Sequence, residues 1–225
     1  RSSAESDVYK RQDARVCHIH FGGGSPDMLS ADEFRAVMHR IRTAFNVTAD
    51  AEIAVELDPR ELDAELCRAM AETGVNRASL GVQDISPEVQ KLINRPQSRD
   101  VVQAAADRLR EVGIAAINMD MMYGLPAQTV TKVRETAGAI AEMGADRVSV
   151  FGYAHVPWFK KHQRAIPENR LPGAEERFDQ MQAAGQALSE AGYDRIGLDH
   201  FARPGDPLAQ AARNGGLRRN FQGYT

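Results

Sequence analysis

Cysteine is almost absent: only Cys17 and Cys67 occur in 225 residues. Two thiols exclude a disulfide framework and fit a reducing compartment. They also exclude a complete cysteine-ligated iron–sulfur or zinc site built from this chain alone, so no metal ligand is assigned to it. No apolar run is long enough to span a bilayer. The opening stretch RSSAESDVYKRQDARV lacks the apolar segment of a secretory signal. Neither sign of charge dominates, with 28 Lys and Arg against 31 Asp and Glu. That balance gives no electrostatic reason for a nucleic-acid or membrane partner. A cytoplasmic protein is expected. Hydrophobic residues make up 43% of the chain, enough to bury a core, and one large domain is the simplest count.

What is present alternates with a regular beat. Strand patterns lie at Val16–Phe21, Glu52–Leu57, Arg77–Val82, Ala116–Met121, Arg147–Phe151 and Asp194–Leu198. Helical patterns lie near Ala31–Phe45, Asp63–Thr73, Asp100–Val112, Val130–Met143 and Ala174–Ala191. Four of the helices run into a glycine (Gly74, Gly113, Gly144, Gly192), where a left-handed residue stops a helix. Repeated βα units predict parallel strands joined by crossover helices.

The special residues fall just after the strands, in GGGSP, ELDP, VQD, NMDMMYGLP, YAHVP and DHFA. A (β/α) barrel carries its active site at that face, and an open doubly wound sheet uses the same end. The pattern leaves both open. The run VCHIHFGGGSP is the most informative: three glycines at a strand end let a backbone approach a ligand that no side chain would tolerate. Free N–H groups there hold an anion or a zwitterion. The bland alternative is a glycine-rich βα turn.

Taken together, HFGGGSP, VELDPRE, LGVQD, NRPQ, NMDMMYGLPAQT, YAHVP, GLDHFARPGD and RNFQGYT resemble the family of oxygen-independent coproporphyrinogen III oxidases. These coproporphyrinogen dehydrogenases are radical S-adenosylmethionine enzymes of heme biosynthesis. The resemblance runs from Val16 to Thr225 and implies an α/β fold, a partial (β/α) radical-SAM, TIM-like barrel with parallel strands. It implies a [4Fe–4S] cluster on a C-x3-C-x2-C loop after the first barrel strand. No such motif exists here, so the cluster's ligands are expected outside this chain. Cys17 is read as a buried core thiol. The chain is then a fragment: 1–15 an N-terminal remnant, 16–202 the partial barrel, 203–225 the truncated start of a C-terminal region. Alone it is expected to be inactive.

The resemblance places S-adenosylmethionine contacts at Gly23, Gly24, Ser25, Glu56, Gln83, Arg95, Asp120 and Ala154. The family holds two such molecules, with Gly23 and Glu56 on the cluster-bound one and the others mainly on the second. Ser25 stands where threonine is common in the family. As chemistry, Glu56 can accept from ribose hydroxyls or an ammonium, against a rim salt bridge as the alternative. Gln83 offers a donor and an acceptor, and Arg95 can clamp a carboxylate. Asp120 sits in an apolar strand, where a carboxylate is either paired or aimed at a ligand. Met119 and Met121 should point to the opposite face. Ala154 would act through its backbone. No catalytic residue is assigned.

His18 and His20 share a strand face, yet no third ligand makes them a metal site. His155 and His200 suit either substrate carboxylates or structural hydrogen bonds. Arg218 and Arg219 could bind a propionate or lie solvated, and Trp158 and Phe159 suit core or rim. The implied partners are coproporphyrinogen III, an electron donor and an electron acceptor, with a monomer expected. The competing readings are a heme-binding chaperone relative without decarboxylase activity, and an unrelated barrel enzyme binding phosphate at GGGSP. DHFARP and NFQGYT favour the enzyme.

Overall fold

The structure, a computed structural model, describes residues 15–218. RNFQGYT, Arg219 and most of the expected N-terminal remnant therefore lie outside the described residues. The elements follow in the order β1 (Arg15–Phe21), α1 (Ala31–Ala44), β2 (Asn46–Leu57), α2 (Ala64–Glu72), β3 (Arg77–Gln83), α3 (Pro87–Leu92), α4 (Arg99–Glu111), β4 (Ala116–Tyr123), α5 (Val130–Glu142), β5 (Arg147–Gly152), α6 (Ala174–Glu190), β6 (Asp194–Arg195), β7 (His200–Ala202) and α7 (Pro207–Arg213). The strands are ordered β1-β2-β3-β4-β5-β7-β6 in one open sheet. This is the α/β, mostly parallel arrangement of a partial (β/α) barrel. By internal contacts the chain divides into two compact units. One runs to Ser79 and adds Ala105–Ala116; the other holds Leu80–Ala104 and the chain from Ile117 onward.

In the first unit β1 and β2 pair in parallel, with His18 opposite Glu52 and His20 opposite Ala54. Helix α1 starts on a capping box: Ser30 Oγ accepts from Glu33 N, and Glu33 Oε2 accepts from Ser30 N at 2.8 Å. Such a cap contributes about 1 kcal/mol. Asp63 caps α2 by accepting from the N–H groups of Glu65 and Leu66 at 2.8 and 2.9 Å. Phe34, Met38, Ile53, Val55, Leu66 and Met70 are buried here. The expected stop at Gly74 is realised at φ +96°, with Val75 N bonded to Met70 O. Gly113, Gly144 and Gly192 likewise have positive φ.

Cys17 is exposed, not a core thiol. It lies where the β1–β2 register jumps, between Val16 opposite Val47 and His18 opposite Glu52. An irregularity of this kind interrupts the ladder at Cys17, so a place inside a strand does not bury its side chain.

In the second unit β4 and β5 are parallel. Ile117, Met119 and Met121 are fully buried on one face of β4, while Asn118, Asp120 and Met122 occupy the other. The methionine alternation read from the sequence is the one observed. The end of this unit departs from expectation. Asp194–Leu198 is not a parallel strand: β6 stops after two residues and pairs antiparallel with β7, which pairs antiparallel with β5. Gly197 at φ +119° turns the chain back, and Ile196 N bonds His200 O at 2.7 Å. A glycine mid-pattern marked a hairpin here.

Candidate functional site

In the first unit, the glycine loop leaves the C-terminal end of β1 and meets Glu56, the penultimate residue of β2. His20 Nε2 lies 2.9 Å from Glu56 Oε1, and Gly23 N–H donates to Glu56 Oε2 at 3.4 Å. Gly22 allows this approach, since a Cβ there would sit 2.7 Å from the Glu56 carboxylate. Gly23 needs glycine for another reason, its φ of +78°. Among the described residues, a Cβ on Gly23 or Gly24 would meet nothing within 4 Å, so the loop's outer side is free of them. Ser25 precedes the 3-10 turn Pro26–Met28, and its hydroxyl makes no cap bond. The structure thus brings Gly23 and Glu56 into contact and leaves Gly24 and Ser25 exposed beside them. His18 also faces an acid, Glu52, at 3.7 Å, and Arg77 Nε donates to that same Glu52 at 3.0 Å. Among the described residues no group of three or more His, Cys, Asp or Glu could hold a metal ion.

In the second unit, Gln83 ends β3 at φ +66°. Asp84 N bonds Val82 O at 2.8 Å, so Gln83 is the centre of a γ-turn of the positive-φ hand. Such a turn is rare and strained, costing about 1–3 kcal/mol. Arg95 Nη2 donates to Gly81 O at 3.2 Å. A Cβ on Gly81 would lie 2.9 Å from Gln83 Nε2 and 3.2 Å from Arg95 Nη2, so the glycine brings these two predicted residues over one strand end. Asp120 Oδ1 accepts from Asn118 Nδ2 at 2.7 Å, and Ser149 Oγ donates to Asn118 Oδ1 at 3.2 Å. Ala154 follows β5; its carbonyl accepts from Gln163 Nε2 at 3.0 Å.

Sequence reasoning missed what holds this end. Asp84 is fully buried. It accepts from Ser86 N at 2.6 Å on one oxygen and from Gln128 Nε2 at 2.7 Å on the other. Burial pushes its carboxyl above the ordinary value, against the pull of those hydrogen bonds. Gln90 Nε2 bonds the carbonyls of Asp84 and Gln97, and Gln97 N donates to Gln90 Oε1. Gln97 Nε2 reaches the carbonyls of Gly81 and Val82, each at 3.2 Å. No local signal marks these amides, since Gln97 stands in NRPQSRD and Gln90 beside Lys91, and their burial arises from tertiary packing.

The remaining candidates resolve simply. His155 bridges Tyr153 Oη and Glu168 Oε1, at 3.0 and 3.1 Å, which is a structural role. His200 Nδ1 lies 2.7 Å from Asp199 Oδ1. Trp158 and Phe159 are exposed, at 76% and 74%, and Arg218 is exposed.

The donor set fits S-adenosylmethionine. Within the first unit the loop presents an open backbone beside a carboxylate, which would suit an amino-acid zwitterion; taken by itself, the second unit offers Asp120 and Gln83, whose groups would suit ribose and polar atoms. A cysteine-ligated [4Fe–4S] cluster does not fit these residues. Cys17 is exposed, whereas Cys67 is buried in α2 with its thiol pushed up to about 11.

A profile described as the Radical SAM superfamily matches residues 4–140. The oxygen-independent coproporphyrinogen III oxidase of Bradyrhizobium diazoefficiens is 54% identical over 211 residues, 94% of this chain and 47% of that protein. The enzyme of the same name from Paracoccus denitrificans is 46% identical, covering 99% of this chain and 50% of that one. The solved structure of coproporphyrinogen III oxidase from Escherichia coli, described as a radical SAM enzyme, superposes with a TM-score of 0.90 at 41% identity. It covers 98% of this chain and 52% of that one. The chain spans about half the length of these relatives. The profile match takes in β1 through most of α5, including the glycine loop, Glu56 and Asp120. This chain belongs to the radical SAM superfamily.

Proposed function

We propose that these residues form the S-adenosylmethionine-binding part of an oxygen-independent coproporphyrinogen III oxidase, whose cluster ligands lie outside the 225 residues. The observation that carries this reading is the 54% identity over 211 residues to a protein of that name. The reaction turns two propionate side chains of coproporphyrinogen III into the vinyl groups of protoporphyrinogen IX. Each turn removes a hydrogen atom, carbon dioxide and one further electron, which passes to an acceptor. S-adenosylmethionine, when bound, would supply the hydrogen-abstracting radical.

The chain's own residues bind and orient. Gly23 N–H and Glu56 hold the zwitterion and ribose of the cluster-bound molecule, with His20 fixing the Glu56 carboxylate. Within the second unit, Gln83, Arg95, Asp120 and Ala154 mainly serve a second molecule; within the first, Gly24 and Ser25 stand exposed beside the Gly23–Glu56 pair. Asp120 is held by Asn118 and so presents its carboxylate in one orientation.

The test uses the full-length protein, reconstituted anaerobically with iron and sulfide and supplied with a reductant. The expected result is 5′-deoxyadenosine and methionine formed alongside protoporphyrinogen IX, quantified by chromatography. Asp120→Asn should weaken S-adenosylmethionine binding and slow turnover while leaving thermal unfolding largely unchanged. Heme binding without conversion of coproporphyrinogen III would overturn the reading in favour of a chaperone. The 225 residues alone should form no stable cluster under the same reconstitution.

A further inference from the structure

We infer that the buried amides Gln90 and Gln97, anchored on Asp84 and Gln128, are a positioning device that holds Gln83 in its strained turn and thereby sets the ligand-binding end of β3. The inference rests on the proposed S-adenosylmethionine reading for its functional half; its structural half stands on the geometry alone.

Four observations carry it. Gln83 is a side-chain-bearing residue at φ +66°, a conformation that surrounding structure must impose. Both peptide carbonyls just before it, those of Gly81 and Val82, are taken by one side-chain amide, Gln97 Nε2. Gln97 Oε1 is buried and accepts from no group among the described residues, so those two carbonyls, and not full satisfaction of the amide, account for its orientation. Just after Gln83, every acceptor of Asp84 is occupied: its carbonyl by Gln90 Nε2, its carboxylate by Ser86 N and Gln128 Nε2. The turn is therefore gripped on both sides of its central residue.

The grip points somewhere specific. Gly81 O accepts from Arg95 Nη2 as well as from Gln97, and Gln83 Nε2 lies over the same glycine. Gln97, two residues beyond Arg95, is tied to Gln90 through both its backbone N–H and its carbonyl. The same amides that impose the turn thus also fix the segment carrying Arg95. An ordinary extended residue at this position would redirect its carboxamide away from Arg95, because reversing φ swings the side chain to another direction. Gln90 and Gln97 act through Gln83 and Arg95 and touch no ligand themselves.

The experiment is a double-mutant cycle in the full-length protein, using Gln83→Gly and Gln97→Ala, read by thermal unfolding and by calorimetric titration with S-adenosylmethionine without reductant. Glycine takes positive φ without strain. Gln83→Gly should therefore raise the melting temperature. Gln97→Ala should lower it more when combined with Gln83→Gly than when made in the native protein, because only with Gln83 in place does losing Gln97 also release the strain of the turn. Each single variant should raise the Kd for S-adenosylmethionine about tenfold. Additive thermal effects would overturn the claim that Gln97 holds the strained turn. Coupled thermal effects with the native Kd in both variants would overturn its positioning role. Failure of the native full-length protein to bind S-adenosylmethionine would instead remove the functional reading and leave the thermal cycle to decide the structural half.

Discussion

The glycine loop of the first unit and the β3 end of the second are held in place by opposite routes. Gly22–Ser25 is exposed, and its carboxylate partner Glu56 is held by one bond from Gly23 and one from His20. Gln83–Asp84 is gripped by buried polar side chains, with Asp84 wholly out of water. The first is a surface that a ligand would complete. The second is fixed by the chain's own groups, and its strain is held by hydrogen bonds worth more inside the protein than in solvent. A substitution in the loop should therefore register mainly in binding, and one in the network in both binding and folding.

The sharpest way to break the comparison is to remove Gln128. Its amide donates to Asp84 Oδ2 and Met122 O and accepts from Leu125 N. Gln128→Ala leaves a buried carboxylate and two backbone groups without these partners, and should cost about 3–5 kcal/mol. Urea denaturation measures this directly. Ser25→Ala in the glycine loop, where the hydroxyl caps nothing, should stay within about 0.5 kcal/mol. Equal losses would erase the distinction between the two regions.

Acid titration separates the units by sign. Asp84 has its carboxyl raised above 3.8 by burial. The folded state then holds its proton more tightly, so the stability it contributes is full below the unfolded value and declines as pH rises through the folded one. Asp63, at the start of α2, is lowered by the N–H groups of Leu66 and Glu65. Its contribution is full above the unfolded value and is lost as pH falls through the lowered one. In urea midpoints, Asp84→Asn should remove a decline in stability as pH rises from about 4, whereas Asp63→Asn should remove part of the loss below about 4. Only the slopes are compared, because the amide introduced by Asp84→Asn also presents a donor where Gln128 donates.

These regions differ in how far the sequence exposes them. The glycine loop, Glu56 at the end of AVEL, and Asp120 flanked by buried methionines follow from strand period and glycine placement, and each lies at the strand position the pattern assigns. The helix-stop glycines are local signals of the same kind. Gln83 stands out in the sequence for its carboxamide, yet nothing local marks its positive φ, because the bonds imposing it come from residues 90, 97 and 128. Asp84 reads as one more polar residue after a strand, and its burial is a tertiary fact. Cys17 and the β6–β7 hairpin depart from expectation because a strand reading presumes an unbroken ladder, which the register jump and Gly197 each interrupt.

The smallest effect on folding and the cleanest on binding should come from Gly22→Ala. The backbone there does not require glycine for its φ, since Gly22 is not among the positive-φ positions. The added Cβ would sit 2.7 Å from Glu56 Cδ and Oε1 and 2.8 Å from Oε2. Those atoms are the far end of a flexible, 44% exposed side chain, so the carboxylate swings into solvent instead of straining the sheet. Stability should change by less than about 0.5 kcal/mol, as at other surface sites. The swing nevertheless separates Glu56 from His20 and from Gly23 N–H, the two contacts that hold its carboxylate over the loop. In the full-length protein, S-adenosylmethionine affinity should fall about as far as it does in Glu56→Gln, because both variants remove one carboxylate from one place. A Gly22→Ala protein that binds as tightly as the native one would show that Glu56 need not sit over the loop, and the first region would revert to a glycine-rich turn with a rim carboxylate beside it.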